Sequence, residues 1–248
     1  MSHRPNPLVF GLESRILAMF IAVCSWSTAA RAQNPVTTFP KNYSLTFSNS
    51  AVAVIRVHYG PHEKIGVHDH SETPTVYVYL SDSGPVRFQH VEEKSFVLTR
   101  PPTVKGAFRV SPGRLERHSV ENMGDASSDF LRVELKQIPL GGLKPFRGKA
   151  PNSPLQSQNS VEFTAPALEI QRIICVGSFA SLMKPSSAPS LIIAFTSLYL
   201  STRVAEKQGE KLEAGTVRWL PSSEVATVRP YAASPAHLLR ILVPTAQM

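Results

Sequence analysis

Two histidines one residue apart, His68 and His70, and a third far downstream, His118, carry the chemistry that stands out in this chain. Along a strand, residues i and i+2 share a face. The pair His68-Asp69-His70 therefore aims two imidazoles the same way, and a third from another strand would complete a three-nitrogen set. Zinc, iron, copper, nickel and manganese all accept imidazole ligands. No rival set of reactive residues is present. The chain has no Gly-x-Ser-x-Gly elbow, no glycine loop to cradle phosphate and no Cys-x-x-Cys pair. Cys175 sits in the apolar run Ile173-Ile174-Cys175-Val176 and reads as a buried, inert thiol.

The elements that must position these histidines read as strands. Ala51–Val57, Val76–Leu80, Phe96–Leu98, Phe108–Val110 and Phe130–Leu135 are short apolar or alternating runs bounded by turn residues. No stretch after the N-terminal segment has helical amphipathicity. Residues 139–159, rich in Pro, Gly, Ser and Asn, read as a linker.

Beyond it the pattern starts again. Val54-Ile55-Arg56-Val57 returns as Ile170-Gln171-Arg172-Ile173, and Val76–Leu80 as Leu191–Phe195. The stretch Gly106–Pro112 returns as Gly215–Pro221, both Gly-x5-Pro with an arginine at the same place, and Leu131-Arg132-Val133 as Leu239-Arg240-Ile241. Four matches in order point to an internal duplication. Lys184, Arg172 and Arg218 read as solvated surface, and Arg109 and Arg218 as members of structural ion pairs.

These residues resemble two motifs of the cupin superfamily. His68-Asp69-His70 followed by a β-run is similar to the first motif. Gly106-x5-Pro112-Gly113, followed by His118 and Asn122, is similar to the second. The resemblance implies an all-β fold of two double-stranded jelly-roll β-barrels, a bicupin. Residues 45–138 would be the N-terminal barrel and 160–248 a degenerate second copy. It further implies a divalent metal (Zn, Fe, Mn or Ni) inside the first barrel on His68, His70 and His118.

The chain departs from the motifs at three points. The family's glutamate should fall at Pro74 or Thr75, and Glu72 comes too early. His62 replaces an expected glycine. One extra residue before His118 puts Arg117 at the strict histidine position, a shift that reverses a side chain's face unless a bulge absorbs it. In the second copy, Lys184 and Ser186 align with the H-x-H pair and Thr227 with His118, so that copy is expected to hold no metal. Tyr77 and Gln89 are candidate substrate contacts, and His58 and His62 read as exposed strand-end imidazoles.

Residues 1–32 read as a signal peptide: Arg4 and Arg15 precede the apolar run Ile16–Val23, and Ala30-Arg31-Ala32 forms an A-x-A cleavage site. The chain is then exported, to the periplasm or beyond. The net charge of +8 has no lysine or arginine run threaded by aromatics, which argues against a nucleic-acid groove. The apolar run is too short for stable membrane insertion. The expected partner is a small-molecule ligand, with a homodimer open. Enzyme or non-catalytic binding protein, with an empty vestigial site, remain alternatives here, because cupins host both roles.

Overall fold

Short β-branched runs punctuated by proline and glycine pair into antiparallel sheets rather than wind into helices. The computed structural model describes Met1 and residues 34–91, 94–178, 180–202 and 209–243. Apart from Met1, the expected signal peptide lies outside the described residues. A four-residue helix, α1 (Pro35–Thr38), opens the fold, its first turn capped by the Asn34 side chain accepting from the Val36 amide. No helix among the described residues is long and apolar enough to cross a membrane.

The first half comprises β1 (Tyr43–Ser48), β2 (Val52–Tyr59), β3 (Lys64–His70), β4 (Thr75–Tyr79) and β5 (Val86–His90). It continues with β6 (Phe96–Arg100), β7 (Phe108–Ser111), β8 (Glu116–Asn122), β9 (Ser128–Leu135) and β10 (Phe146–Gly148). The second half comprises β11 (Gln158–Ala165), β12 (Leu168–Cys175), β13 (Ser181–Met183), β14 (Ser190–Ala194) and β15 (Leu198–Ser201). Its last strands are β16 (Glu210–Leu212), β17 (Val217–Leu220), β18 (Ala226–Pro230) and β19 (Ala236–Leu242).

Each half is a two-sheet sandwich with one strand order. The larger sheets run β1-β2-β9-β4-β7-β10 and β11-β12-β19-β14-β17, and the smaller ones β3-β8-β5-β6 and β13-β18-β15-β16. Strand by strand, the second half repeats the first, as the sequence matches imply. Two details differ from the expectation. Among the described residues no ladder joins the two sheets of a half, so each is an open sandwich rather than a closed barrel. The stretch read as a linker contributes β10, which adds a sixth strand beside β7.

The central strands of the larger sheets, such as β4, β14 and β19, are buried on both faces, which is why they are largely apolar rather than alternating. The edge strands β1 and β11 are instead exposed or half-buried over most of their length. Val52 and Val54 of β2 face one way, into a cluster shared with Ile170, Leu191, Ile193, Leu239 and Ile241 of the other half. Ile55, Val57 and Tyr59 face the interior of the first sandwich. The second sandwich has its own aliphatic interior, including Ile173, Met183, Leu198, Leu200 and Leu238.

Arginines bracket the shared core reciprocally. Arg56 of β2 reaches Gly215, which has φ of 81°; a Cβ there would lie 3.1 Å from Nη1. Its counterpart Arg172 of β12 lies against Gly106, φ 90°, where a Cβ would meet His237 at 3.0 Å. Arg172, read as solvated, is fully buried: it donates to Glu162, to His237 Nε2 (2.7 Å) and to the Lys149 carbonyl (3.1 Å). A repeat position shared by both halves marks an interface here, not solvent.

Candidate metal centre

The three histidines meet. His68 and His70 on β3 face His118 on β8, with ring centroids 4.8 to 5.1 Å apart, and all three are buried. Each offers a ring nitrogen within 4.8 Å of the others, and they form the one such group of potential metal ligands among the described residues. Two local features bring them together. A bulge in β3, where the pairing steps from Ile65↔Val120 to His68↔His118, keeps both Ile65 and the histidines facing inward. The extra residue before His118 falls in the Pro112–Leu115 turn, so β8 starts at Glu116 with His118 inward and Arg117 outward beside Asp69 (3.7 Å).

The ring nitrogens are prepared unequally. His68 Nδ1–H donates to the Gly66 carbonyl at 2.9 Å, which leaves the Nε2 lone pair facing the cluster. That Nε2 lies 3.1 Å from His70 Nε2 and accepts from the Tyr43 hydroxyl at 2.9 Å, which is in turn 2.9 Å from the Tyr59 hydroxyl. Both ring nitrogens of His118 are buried with no hydrogen-bond partner. Buried polar atoms are rarely left so, and an ion held by three imidazoles would account for it. The residues therefore fit a metal.

Burial first, with repulsion from Arg132, lowers the pKa of all three histidines. His118 is pushed down to about 2, first by burial and then by His68, His90 and Arg132. His70 falls well below the ordinary range through burial and then Arg132, and His68 is lowered by burial. Neutral imidazole is the form that binds metal.

The segment Ser71-Glu72-Thr73-Pro74-Thr75 supplies no carboxylate. Glu72 is exposed, Pro74 is buried, and the Thr75 hydroxyl donates to the Thr73 carbonyl (2.8 Å). Gly113 packs on this turn, its φ of 85° and the Glu72 carbonyl leaving no room for a side chain.

A cavity of about 550 Å³ adjoins the cluster, with His70, His118, Tyr43, Tyr59, Tyr77 and Arg132 among its walls. Tyr77 also lines this cavity, its hydroxyl accepting from Arg132 Nη1 at 2.8 Å. Gln89 is not: strand alternation turns Phe88 and His90 inward and leaves Gln89 exposed on the outer face. His58 and His62 sit away from the cavity, beside Asp129 and Asp125.

His90, which the sequence offers beside Gln89 as a polar group for a ligand, is the one of the two that turns inward, buried beside His118. Other cavity residues are not signalled by the sequence: Tyr43 and Tyr59 form the hydroxyl relay, and Glu116 is the cavity's one lining carboxylate. Arg132 joins them, read only as a repeat marker although Phe130, Arg132 and Glu134 share one strand face. Burial opposes its charge, but Tyr77, Glu134 and Glu116 hold the guanidinium protonated beyond its usual range.

In the second half Met183 pairs with Ala226 where His68 pairs with His118 in the first, and both face the aliphatic interior. The alignment through Lys184 and Thr227 is therefore one residue out of step. Lys184 is exposed, and Thr227 lies between the inward residues Ala226 and Val228.

No family model matches the sequence, and no curated protein matches it. Solved structures do match. A bacterial pirin from Escherichia coli, YhhW, superposes with a TM-score of 0.57 at 14% identity, over 82% of this chain and 91% of its own. AerE from Microcystis aeruginosa gives 0.55 at 10%, over 82% and 98%. Oxalate decarboxylase from Bacillus subtilis gives 0.50 at 12%, over 86% and 72%. Likeness at such identities carries the fold alone, and that fold is the cupin fold.

Proposed function

We propose that this cupin-fold chain is an exported metalloprotein that holds a divalent ion on His68, His70 and His118. In the adjoining cavity it binds or acts on a small polar molecule. The observation that carries this reading is His118, a buried imidazole with two unpartnered nitrogens facing two more imidazoles. The pirin neighbour is described with nickel(II) and the decarboxylase with Mn(II) centres, which supports nickel or manganese beside zinc and iron as candidates. When bound, such an ion supplies Lewis acidity. The chain's own residues do the rest. The Gly66 carbonyl fixes the His68 tautomer, the Tyr59–Tyr43 relay offers a hydroxyl at the same nitrogen, and aromatic walls limit water. Export rests on the 1–32 leader.

One observation favours a second reading. The Tyr43 hydroxyl already satisfies His68 Nε2, as it would in a non-catalytic small-molecule or envelope-associated binding protein with a vestigial site. Elemental analysis separates the two. Purified protein supplied with zinc, iron, manganese and nickel in turn is expected to retain close to one ion per chain, and a His68→Ala/His118→Ala variant almost none. Less than about a tenth of an ion per chain in the parent protein sinks the metal reading.

A further inference from the structure

One row of residues crosses the larger sheet of the first half. Arg132 of β9 is the register partner of Tyr77 of β4, Tyr77 of Arg109 of β7, and Arg109 of Arg147 of β10. Register partners share a face, and all four line the cavity beside the histidines. Arg132 is satisfied by the Tyr77 hydroxyl and by Glu134 and Glu116. Arg109 is not. Its guanidinium lies 4.3 Å from the centre of the Tyr77 ring, and its buried Nε has no partner. Among the described residues no carboxylate meets it, and its direct neighbour in the row is another arginine.

Arg100, buried on the same cavity, also has an unpartnered Nε, while its Nη2 donates to the neutral hydroxyls of Ser83 and Ser128. The one carboxylate in the cavity wall, Glu116, is committed to Arg114 and Arg132. Arg100 is buried and Arg109 half-buried with its Nε fully covered. Covering a cation without a counter-charge is costly, and like charges directly opposite on a sheet repel.

The second half serves as an internal control. Arg218 occupies the place of Arg109, pairing with Ile192 as Arg109 pairs with Tyr77, and it has its own carboxylate, Glu210, at 3.3 Å. The same ladder position is neutralised within the chain in one half and left charged in the other, where it faces a cavity.

We propose that the cavity takes a small organic carboxylate, gripped by the Arg109 guanidinium stacked on Tyr77, with its apolar body against Tyr79, Phe88 and Phe130. The planar guanidinium fork matches a carboxylate edge, and the aromatic walls favour an organic anion over an inorganic one. The inference deepens the small-molecule reading above and rests on it. Binding at this position would bring the anion into the cavity that His70 and His118 line.

Benzoate, the neutral isostere benzamide and inorganic phosphate, each titrated calorimetrically into the full, metal-supplemented protein, test this. Benzoate is expected to bind saturably, and benzamide and phosphate at least tenfold more weakly. Arg109→Gln should weaken benzoate at least tenfold with metal content unchanged, while Arg218→Gln leaves it unaltered. Without ligand, Arg109→Gln should also raise the melting midpoint, because it removes an unpaired cation. If that variant fails to fold, Arg109→Lys, which keeps the charge and loses the fork, should still bind several-fold more weakly. Benzamide binding as tightly as benzoate, an undiminished Arg109 variant or no saturable benzoate binding would each overturn the proposal. A protein that binds benzoate but no metal instead removes the metal reading and leaves the anion site standing.

Discussion

In the first half His68 faces His118 across a strand pair, and in the second half Met183 faces Ala226 at the same place. One framework thus encloses two different interiors. The second is filled by aliphatic side chains such as Ile192, Leu198, Leu200 and Val228. The first is lined by tyrosines, histidines and arginines around open space. A two-sheet sandwich does not need a hollow centre to be stable, and the second half shows the alternative on the same framework: close-packed apolar volume.

The two halves differ most in energy at the arginines bracketing the shared core. Arg172→Met strips a fully buried cation from Glu162 and His237 and is expected to destabilise by about 3–5 kcal/mol, as loss of one partner of a buried pair does. Arg56→Met, which removes a single long bond to the Gly215 carbonyl (3.5 Å), should cost about 1 kcal/mol or less. Denaturant unfolding reads both, and equal costs would mean the reciprocal contacts are not energetically distinct.

Truncation tests the interiors directly. Leu200→Ala, in the filled half, should cost about 2–4 kcal/mol. Phe88→Ala, which already borders a cavity, should cost less than is usual for a core aromatic because fewer of its atoms have partners. A larger penalty at Phe88 would contradict the hollow-versus-filled picture.

Acid sensitivity comes next. Burial, followed by Arg172 and Lys105, lowers the pKa of His237 to about 3. The folded chain thus keeps this imidazole neutral while the unfolded chain protonates it near its ordinary value. Its contribution is fully present at neutral pH and is lost as pH falls from about 6.5 towards 3, at no more than about 1.4 kcal/mol per pH unit. His237→Gln should flatten that part of the pH–stability curve, measured by urea unfolding at successive pH values. The smallest effect is expected at Tyr43→Phe. Removing the hydroxyl that occupies His68 Nε2 frees the lone pair, and metal affinity should rise by up to about tenfold, the value of one net hydrogen bond. Weaker metal binding in that variant would show that Tyr43 supports the ion rather than competing with it.

Much of this was legible in the sequence because it lies in local patterns. Strand existence followed from β-branched runs, the duplication from matched stretches, and the inward pair His68 and His70 from the period of two. What was not legible depended on register and on burial of the opposite face. Arg172 looks like a surface residue in any window, since the first half, through Gly106 and Lys149, helps to cover that face of β12. Gln89 and His90 differ by one residue, and nothing local fixes which one turns inward. The step from Lys184 to Met183 is the same kind of error, because a one-residue slip inverts every assignment along a strand. The row from Arg132 to Arg147 joins four strands distant in sequence and exists only once the sheet is assembled.

The shared core also sets an order of events during synthesis. Val52, Val54, Val76 and Leu131 are made early, yet their burial depends on Leu191, Leu239, Ile241 and Val243, near the end of the chain. Until those arrive, the first sheet has one face dry and the other bare, the kind of transient apolar surface that invites aggregation in large β proteins. The half that carries the histidines is thus completed by the half that lacks them. Loss of the last strand, β19, would act at a distance, leaving the histidine-bearing half fully translated but without the surface that covers it.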